Sequence, residues 1–460
     1  MKRTVEWGLL LIVTGAVLPF GGVQIPAYSA VEAALYLLTL VVLIKQTTEG
    51  KIDLPFPLWI LPFLGVVLLQ TVPLPARTVS WLSPNRMFPD VQAALAPAAA
   101  RWATLSLYPH DTWLGIFKLL AYLAAFALAA YAFEPREGRS VLAPGLIVLG
   151  SLEAAYGIVQ YLTGYQKIFG FTKQFYADDA TGTYINHNHF AGFLELVIPF
   201  AAMMVFYNLQ THAAGFLERR RGRAAGGSLD PRVFFYAFLV ILLILAVVFS
   251  RSRMGIFSVL VSLILMGLLG LLGEGRRAWM VITLVVIGVS MAYAIWIGLD
   301  PVIRRFELLT PSGLENPYAR VAIWKQASGI VRDYPATGTG LGTFATAFRR
   351  YQTSSLDLNV DHAHNDYLEV ASETGIAGAV LLFIPIFGLL IKMILAYVTA
   401  RSPYRRAVLL ACVGSVAALL VHSVMDFNLQ IPANALLFAV VLGLGSKALR
   451  STAASWSTTT

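Results

Sequence analysis

Residues 233–249 read VFFYAFLVILLILAVVF, and the chain then turns through Ser250-Arg251-Ser252-Arg253 into a second apolar run that starts at Met254. No charge interrupts the first run. Rising 1.5 Å per residue as a helix, it is long enough to cross most of a hydrocarbon core of about 30 Å. In lipid every backbone N–H and C=O must be paired within the segment, so a run of this kind is a helix. The polar–apolar alternation that a barrel strand needs is absent. The pattern recurs, placing spans at 7–23, 26–45, 56–73, 113–133, 141–163, 188–208, 233–249, 254–273, 278–298, 375–398, 405–424 and 431–449. The expected fold is an all-α polytopic membrane protein of about 12 transmembrane helices. Residues 1–460 form one transmembrane domain, with a large helical loop, 299–374, as a subregion between spans 9 and 10.

Composition excludes the soluble classes. Of 460 residues, 57% are hydrophobic and 13% charged, about half the charge of an ordinary soluble domain. Mean hydropathy is +0.69. The net charge of +9 could suit nucleic acid, but the basic residues gather in short loops between spans, as membrane orientation requires. The expected partner is membrane lipid, with no nucleic acid. Cys412 is the lone cysteine and lies inside an apolar run. It is read as a packing residue, and it leaves no disulfide within the chain and no cysteine metal site. Lys2 and Arg3 before Leu9–Phe20 resemble a secretory signal, with Tyr28-Ser29-Ala30 a tolerable cleavage end. Further spans follow at once, which favours an uncleaved first span.

The positive-inside rule sets the orientation. More than half of the 34 basic residues fall on the side of the N-terminus, among them Arg136, Arg139, the run Arg219-Arg220-Arg221, Arg276, Arg277, Arg405 and Arg406. The short loops on the other side, 24–25, 164–187, 250–253 and 425–430, hold only Lys167, Lys173, Arg251 and Arg253. Both termini are therefore expected in the cytoplasm. The long segments 74–112 and 299–374 face outward. In the second, Asn316-Pro317 reads as a helix start and Asp333-Tyr334-Pro335 as its stop. Val321, Trp324, Ala327 and Val331 repeat along one helical face. Gly338, Gly340 and Gly342 read as a flexible turn, and a short helix is expected around Thr343–Gln352.

Charge on the wrong side is the informative anomaly. Arg251 and Arg253 occupy a tight outer turn between two apolar spans. Arginines near span ends often snorkel to lipid headgroups, but here the orientation rule disfavours them. A guanidinium suits a phosphate or pyrophosphate, which it grips with two parallel hydrogen bonds. Arg320 stands apart from the other loop cations because it shares a helical face with Trp324. Five of the seven histidines lie outside, two as His187-Asn188-His189 and two as His362-Ala363-His364. A metal site lacks support from HExxH, cysteine or Asp-x-Asp patterns, and only Asp178-Asp179 could add a carboxylate pair. No metal and no cofactor are expected. A histidine acting as general base is favoured, since its pKa lies near working pH. Gly338-Thr339-Gly340-Leu341-Gly342 lacks the strand, lysine and spacing of a nucleotide loop.

At His364 a broader pattern emerges. His364-Asn365, followed after nine residues by Gly375-Ile376-Ala377-Gly378, is similar to the signature of the O-antigen ligase and polymerase superfamily. Gly182-Thr183-Tyr184-Ile185-Asn186-His187-Asn188-His189-Phe190-Ala191-Gly192 resembles that family's lead into a middle span, and Ser250–Gly255 its outer arginine turn. Arg320-Val321-Ala322-Ile323-Trp324, with Asp333-Tyr334-Pro335 and the glycine turn to Phe344, resembles its large-loop core. The resemblance covers about 182–378. It implies metal-independent, inverting glycosyl transfer on the periplasmic face of a bacterial inner membrane. The implied donor is a glycan on undecaprenyl diphosphate, and the acceptor a sugar hydroxyl of lipid A–core or of another lipid-linked glycan. Carried over to this sequence, His364 takes the acceptor's proton, while Arg320 and Arg251 or Arg253 hold the diphosphate. His187, Asn188, His189, His362 and Asn365 line the substrate site. Ligation to lipid A–core is the first reading. Polymerisation of O-antigen, capsule or exopolysaccharide units is the alternative, since the double-histidine form of 187–189 suits such members. Of another class, a transporter of lipid-linked glycan would need charges along its spans. Away from the cytoplasmic ends these hold few, namely Glu32, Lys118, Glu153 and Glu195.

Overall fold

In the computed structural model, residues 1–87, 102–220, 230–272, 288, 320–353 and 359–450 are described, with side chains of 212–220 left aside. The described residues are mainly helical. In order the chain forms α1 (Lys2–Val17), α2 (Ile25–Thr48), α3 (Leu61–Thr71), α4 (Ala76–Leu82), α5 (Pro109–Ala132), α6 (Leu142–Thr163) and α7 (His187–Arg220). There follow α8 (Pro231–Phe249), α9 (Arg253–Gly270), α10 (Arg320–Asp333), α11 (Phe344–Phe348), α12 (Asp366–Thr399), α13 (Pro403–His422) and α14 (Pro432–Arg450). Two minimal strand pairs, β1 (Leu74–Pro75) with β2 (Trp102–Ala103) and β3 (Lys167–Ile168) with β4 (Phe171–Thr172), are antiparallel.

Nine of the described helices are long and apolar enough to cross a membrane. The chain is an all-α polytopic membrane protein. Of the other predicted spans, 7–23 falls on α1, 16 residues long, and 56–73 on the shorter apolar helix Leu58–Thr71. The span 278–298 lies outside the described residues. Caps mark several helix starts. Asp230, Ser252, Asn365 and Ser402 each accept a backbone N–H of the first turn, satisfying a donor that the helix cannot pair itself. α7, α13 and α14 form the buried centre. Around them α2, α8 and α12 turn large apolar side chains outward, including Leu37, Leu40, Phe234, Phe238, Ile384 and Ile391. A water-soluble molecule would not leave so broad an apolar surface open; lipid chains cover it here.

The predicted helix at the start of the large loop is α10. Its first described residue is Arg320, so the Asn316-Pro317 start lies outside the described residues. It ends at Asp333, as read. The buried face differs from the expected one. Ile323, Ala327 and Ile330 pack with Tyr334, Phe344 and Phe348 in a small core of their own, while Val321 is exposed. Only Ala327 belongs to both stripes. The reason is that α11 and the 359–364 segment cover the Ile323 side, so tertiary packing chose among two apolar stripes.

The glycine turn is also firmer than expected. Gly375 interrupts α12 with φ 72°, freeing the carbonyls of Ser372 and Glu373. The turn fills that gap: Thr339 N–H donates to Ser372 O (3.0 Å) and Gly340 N–H to Glu373 O (2.9 Å). Gln70 of α3 clamps both, its amide donating to Thr337 O and Glu373 O while its oxygen accepts Leu341 N–H. A Cβ on Gly338, itself at φ 63°, would sit 2.2 Å from the Glu373 carbonyl, and one on Gly375 2.6 Å from that of Ala336. Two backbones meet here with no room for side chains.

Candidate functional site

Everything that follows gathers at one end of the bundle, where α7, α10, α12 and α13 begin or end. Asp366, the first residue of α12, receives Ser423 Oγ (2.7 Å) and Leu429 N–H, and its own N–H donates to Ser423 O. This lashes the 423–429 turn, which follows α13, to the residues just before α12. His364 is thereby set beside Asp426.

Asp426 is the centre of the cluster. It is 1% exposed as a side chain, and four groups face it. His189 Nε2 and His364 Nδ1 lie 3.6 and 3.9 Å from Oδ1. The Arg320 guanidinium and His422 Nε2 each lie 3.8 Å from Oδ2. All four distances exceed a hydrogen bond, so the groups face the carboxylate with slack between them; Arg320 is an ion pair, and the imidazoles become ion pairs only when protonated. Phe427 N–H donates to Oδ1 at 2.8 Å. Burial alone would push the Asp426 carboxyl up. The imidazoles of His189 and His364 and the charges of His189 and His422 outweigh it and hold the group well below the usual carboxylate range. It is therefore ionised at any working pH.

Phe427 spaces the histidines. His362 stacks on its ring (centroids 4.2 Å), and His189 and His364 meet it edge-on at 4.6 and 4.8 Å. His362 is held by Glu369 of α12 through Nδ1 (2.8 Å), while the other Glu369 oxygen accepts Ala363 N–H. Trp324, one turn after Arg320, donates its indole N–H to Ala363 O. The His362-Ala363-His364 segment is thus pinned from both α10 and α12. Burial tends to lower His362, yet the adjoining Glu369 charge and hydrogen bond prevail and raise it above the ordinary imidazole value. His364 itself adopts φ 51°, a left-handed backbone that costs a non-glycine residue roughly 1 kcal/mol or more and recurs at functional sites.

A second, shallower cluster surrounds Asp179. His187 Nδ1 lies 2.8 Å from Oδ2, and Arg251 3.6 Å from Oδ1. Tyr176 stacks on His187 at 4.2 Å. Burial and then the Asp426 charge raise the Tyr176 phenol, with Arg320 opposing, and Asp179 adds to the rise, so Tyr176 senses the charges of both clusters. Arg251, like His364, has a positive φ, 55°, and its guanidinium lies over the Tyr161 ring.

The sequence-read residues therefore divide. Arg320, His189, His362 and His364 converge on the Asp426–Phe427 pair; His187 and Arg251 belong to the Asp179 cluster. Asn188 and Asn365 do local work. Asn188 Oδ1 accepts Ser252 Oγ–H (2.7 Å), tying α7 to the arginine turn, and Asn365 caps α12 by accepting Leu368 N–H. Arg253 is exposed at the start of α9. Among the described residues no group of three or more His, Cys, Asp or Glu is disposed to hold a metal ion. Sequence reasoning passed over Asp426, Phe427, Glu369 and Tyr176. Asp426 had one signal, an acid in an outer loop four residues after His422, at the spacing of one helical turn. Phe427 had none.

Fold and site together define a polytopic helical membrane protein with imidazoles and one guanidinium gathered around a buried carboxylate at one end of the bundle. Residues 238–383 match a family described as O-antigen ligase, the same superfamily as the resemblance read from the sequence. The matched stretch holds Arg251, Arg253, Arg320, His362, His364 and Asn365; His187, His189 and Asp426 lie beyond its ends. No curated protein sequence matches the chain. The match supports a glycosyl-transferring enzyme of the membrane, of ligase or polymerase type, acting on lipid-linked glycan and a polysaccharide acceptor.

Proposed function

We propose that the protein transfers a glycan from a polyprenyl diphosphate, undecaprenyl in bacteria, to a sugar hydroxyl of lipid A–core, at the periplasmic face of the inner membrane and without a metal. The observation that carries this reading is His364 with Nδ1 turned to the buried Asp426 and Arg320 on that carboxylate's other oxygen. An imidazole whose Nδ1–H faces a carboxylate offers its Nε2 lone pair as the base and is stabilised as it gains the proton. The acceptor hydroxyl loses its proton to His364 Nε2 as its oxygen attacks the anomeric carbon. The bond to the diphosphate breaks on the opposite face, inverting the centre. Negative charge then grows on the diphosphate, where Arg320 and Arg251 stabilise it, and such preorganised cations act most strongly in a partly dehydrated site. The donor is already activated, so orientation and a base suffice.

The test is transfer by purified protein in liposomes, with chelator present, a polyprenyl-diphosphate glycan as donor and lipid A–core as acceptor. Glycosylated lipid A–core is expected. Lengthened lipid-linked glycan would instead mean a polymerase, and no new bond with either acceptor would sink the transferase reading.

A further inference from the structure

Beneath Asp426, inside the bundle, lies a pair of groups that the proposed reaction does not use. Glu195 on α7 and His422 at the end of α13 are both 0% exposed, with Glu195 Oε2 2.9 Å from His422 Nδ1. His422 Nε2 points the other way, 3.8 Å from Asp426 Oδ2, and neither of those two atoms has a hydrogen-bond partner. The imidazole therefore stands between two carboxyl groups.

Donor counting limits what such a ring can be. A carboxylate and a bare ring nitrogen cannot face each other at 2.9 Å with no proton between them. If that proton is the only one, Nε2 turns a lone pair toward the Asp426 anion, and both buried atoms are left unsatisfied. One more proton in the Glu195–His422 pair removes the conflict. Whether Glu195 or Nδ1 carries the shared proton, Nε2 then presents an N–H to Asp426. Counted this way the pair is neutral, and Arg320 balances Asp426. The other titratable groups that interact with Asp426 are His189, His364, Asp366, Tyr176 and His187, and Arg320 also acts on His422. The cluster goes from neutral to a net positive charge when His364 takes the proton, at the moment negative charge reaches the diphosphate.

We propose that His422 and Glu195 are positioning residues for this reaction, a buried pair that holds an N–H on Asp426 and so sets the basicity of His364. This rests on the reading of His364 as the base and Asp426 as its partner. Without the N–H, Asp426 would draw the His364 proton more strongly, and the base would need a higher pH to be free.

The experiment is kcat/KM against pH for transfer to lipid A–core by wild type, His422→Leu and His422→Gln, with thermal unfolding of each and His364→Ala as a control. In His422→Leu the acidic limb should move up by about one pH unit, a tenfold change in protonation. In His422→Gln, whose amide retains an N–H, it should stay near wild type. A folded His422→Leu whose limb is unmoved overturns the proposal and leaves the pair a packing element. Should that variant not fold, ¹⁵N NMR of histidine-labelled wild type decides. A protonated Nε2 at pH 8 for the resonance missing from His422→Gln supports the proposal, and an unprotonated one refutes it. Full transfer by His364→Ala would defeat the underlying base assignment instead, and the NMR result would still stand apart from it.

Discussion

At the scale of single residues, the chemistry turns on whether His364 and Asp426 act as one unit. His364→Ala should cut transfer by about 100- to 10,000-fold, the usual worth of a positioned base, while donor binding persists in a filter or fluorescence assay. Near-normal turnover would remove His364 from the base role. Asp426→Asn keeps the shape but not the charge that orients and stabilises the imidazole. It should lower kcat strongly with a smaller effect on acceptor KM, and a change confined to KM would count against the pairing. Arg320→Ala should cost about 100- to 1,000-fold in kcat, the typical loss on removing one electrostatic donor. Here the comparison is with Arg251→Ala: equal, additive losses would mean that the two guanidiniums hold the diphosphate independently. Arg320, His364 and the histidine pairs were legible because charge and imidazole are rare in this chain and fell outside the spans or in a span's first turn. Asp426 was not, because an acid in a short loop looks like any solvated acid until three imidazoles and a guanidinium are seen to face it.

At the scale of elements, the site depends on backbone held against backbone. The Gly338–Gly342 turn completes the hydrogen bonds that α12 loses at Gly375, and Gln70 locks the junction. Gly338→Ala would need a Cβ 2.2 Å from a carbonyl, at a positive φ. It should therefore destabilise by more than about 1 kcal/mol, seen as a lower unfolding temperature in detergent and a loss of transfer. A variant as stable as wild type would mean that the junction is looser than drawn. The glycines were read as turn-formers, correctly for their φ. That their partner was a kink far along the chain had no local signature, because the complementarity exists only once α12 is bent.

At the scale of the whole molecule, orientation and pH response follow from the charge layout. The site end is expected in the periplasm, consistent with the basic loops at the other end. Cys412 is buried, so a Cys412→Ala background permits single-cysteine labelling. Arg251→Cys should react with an impermeant maleimide added to intact spheroplasts, and Arg401→Cys only after lysis; the reverse pattern would invert the topology. For stability, His362 is raised above 6.5 by Glu369 despite its burial. A raised imidazole contributes stability that is full below the unfolded value and lost as pH rises through the folded one. The unfolding temperature should therefore fall as pH climbs above about 6.5, and His362→Gln should flatten that decline. An unchanged slope would mean that the His362–Glu369 pair is not its source. Asp426, depressed, contributes in the opposite sense and fails only in acid, as pH drops from 3.8 through its folded value.

The amino-acid order alone determined that this chain is a bundle of spanning helices and where most of those helices lie. These follow from local rules: an apolar run must satisfy its own backbone in lipid, and loop charge decides which side it faces. Only the tertiary structure decided which of the imidazoles share one carboxylate. That grouping needs α7, α10, α12 and α13 to end together, and nothing within any one helix encodes the distance between residues 189, 320, 364 and 426.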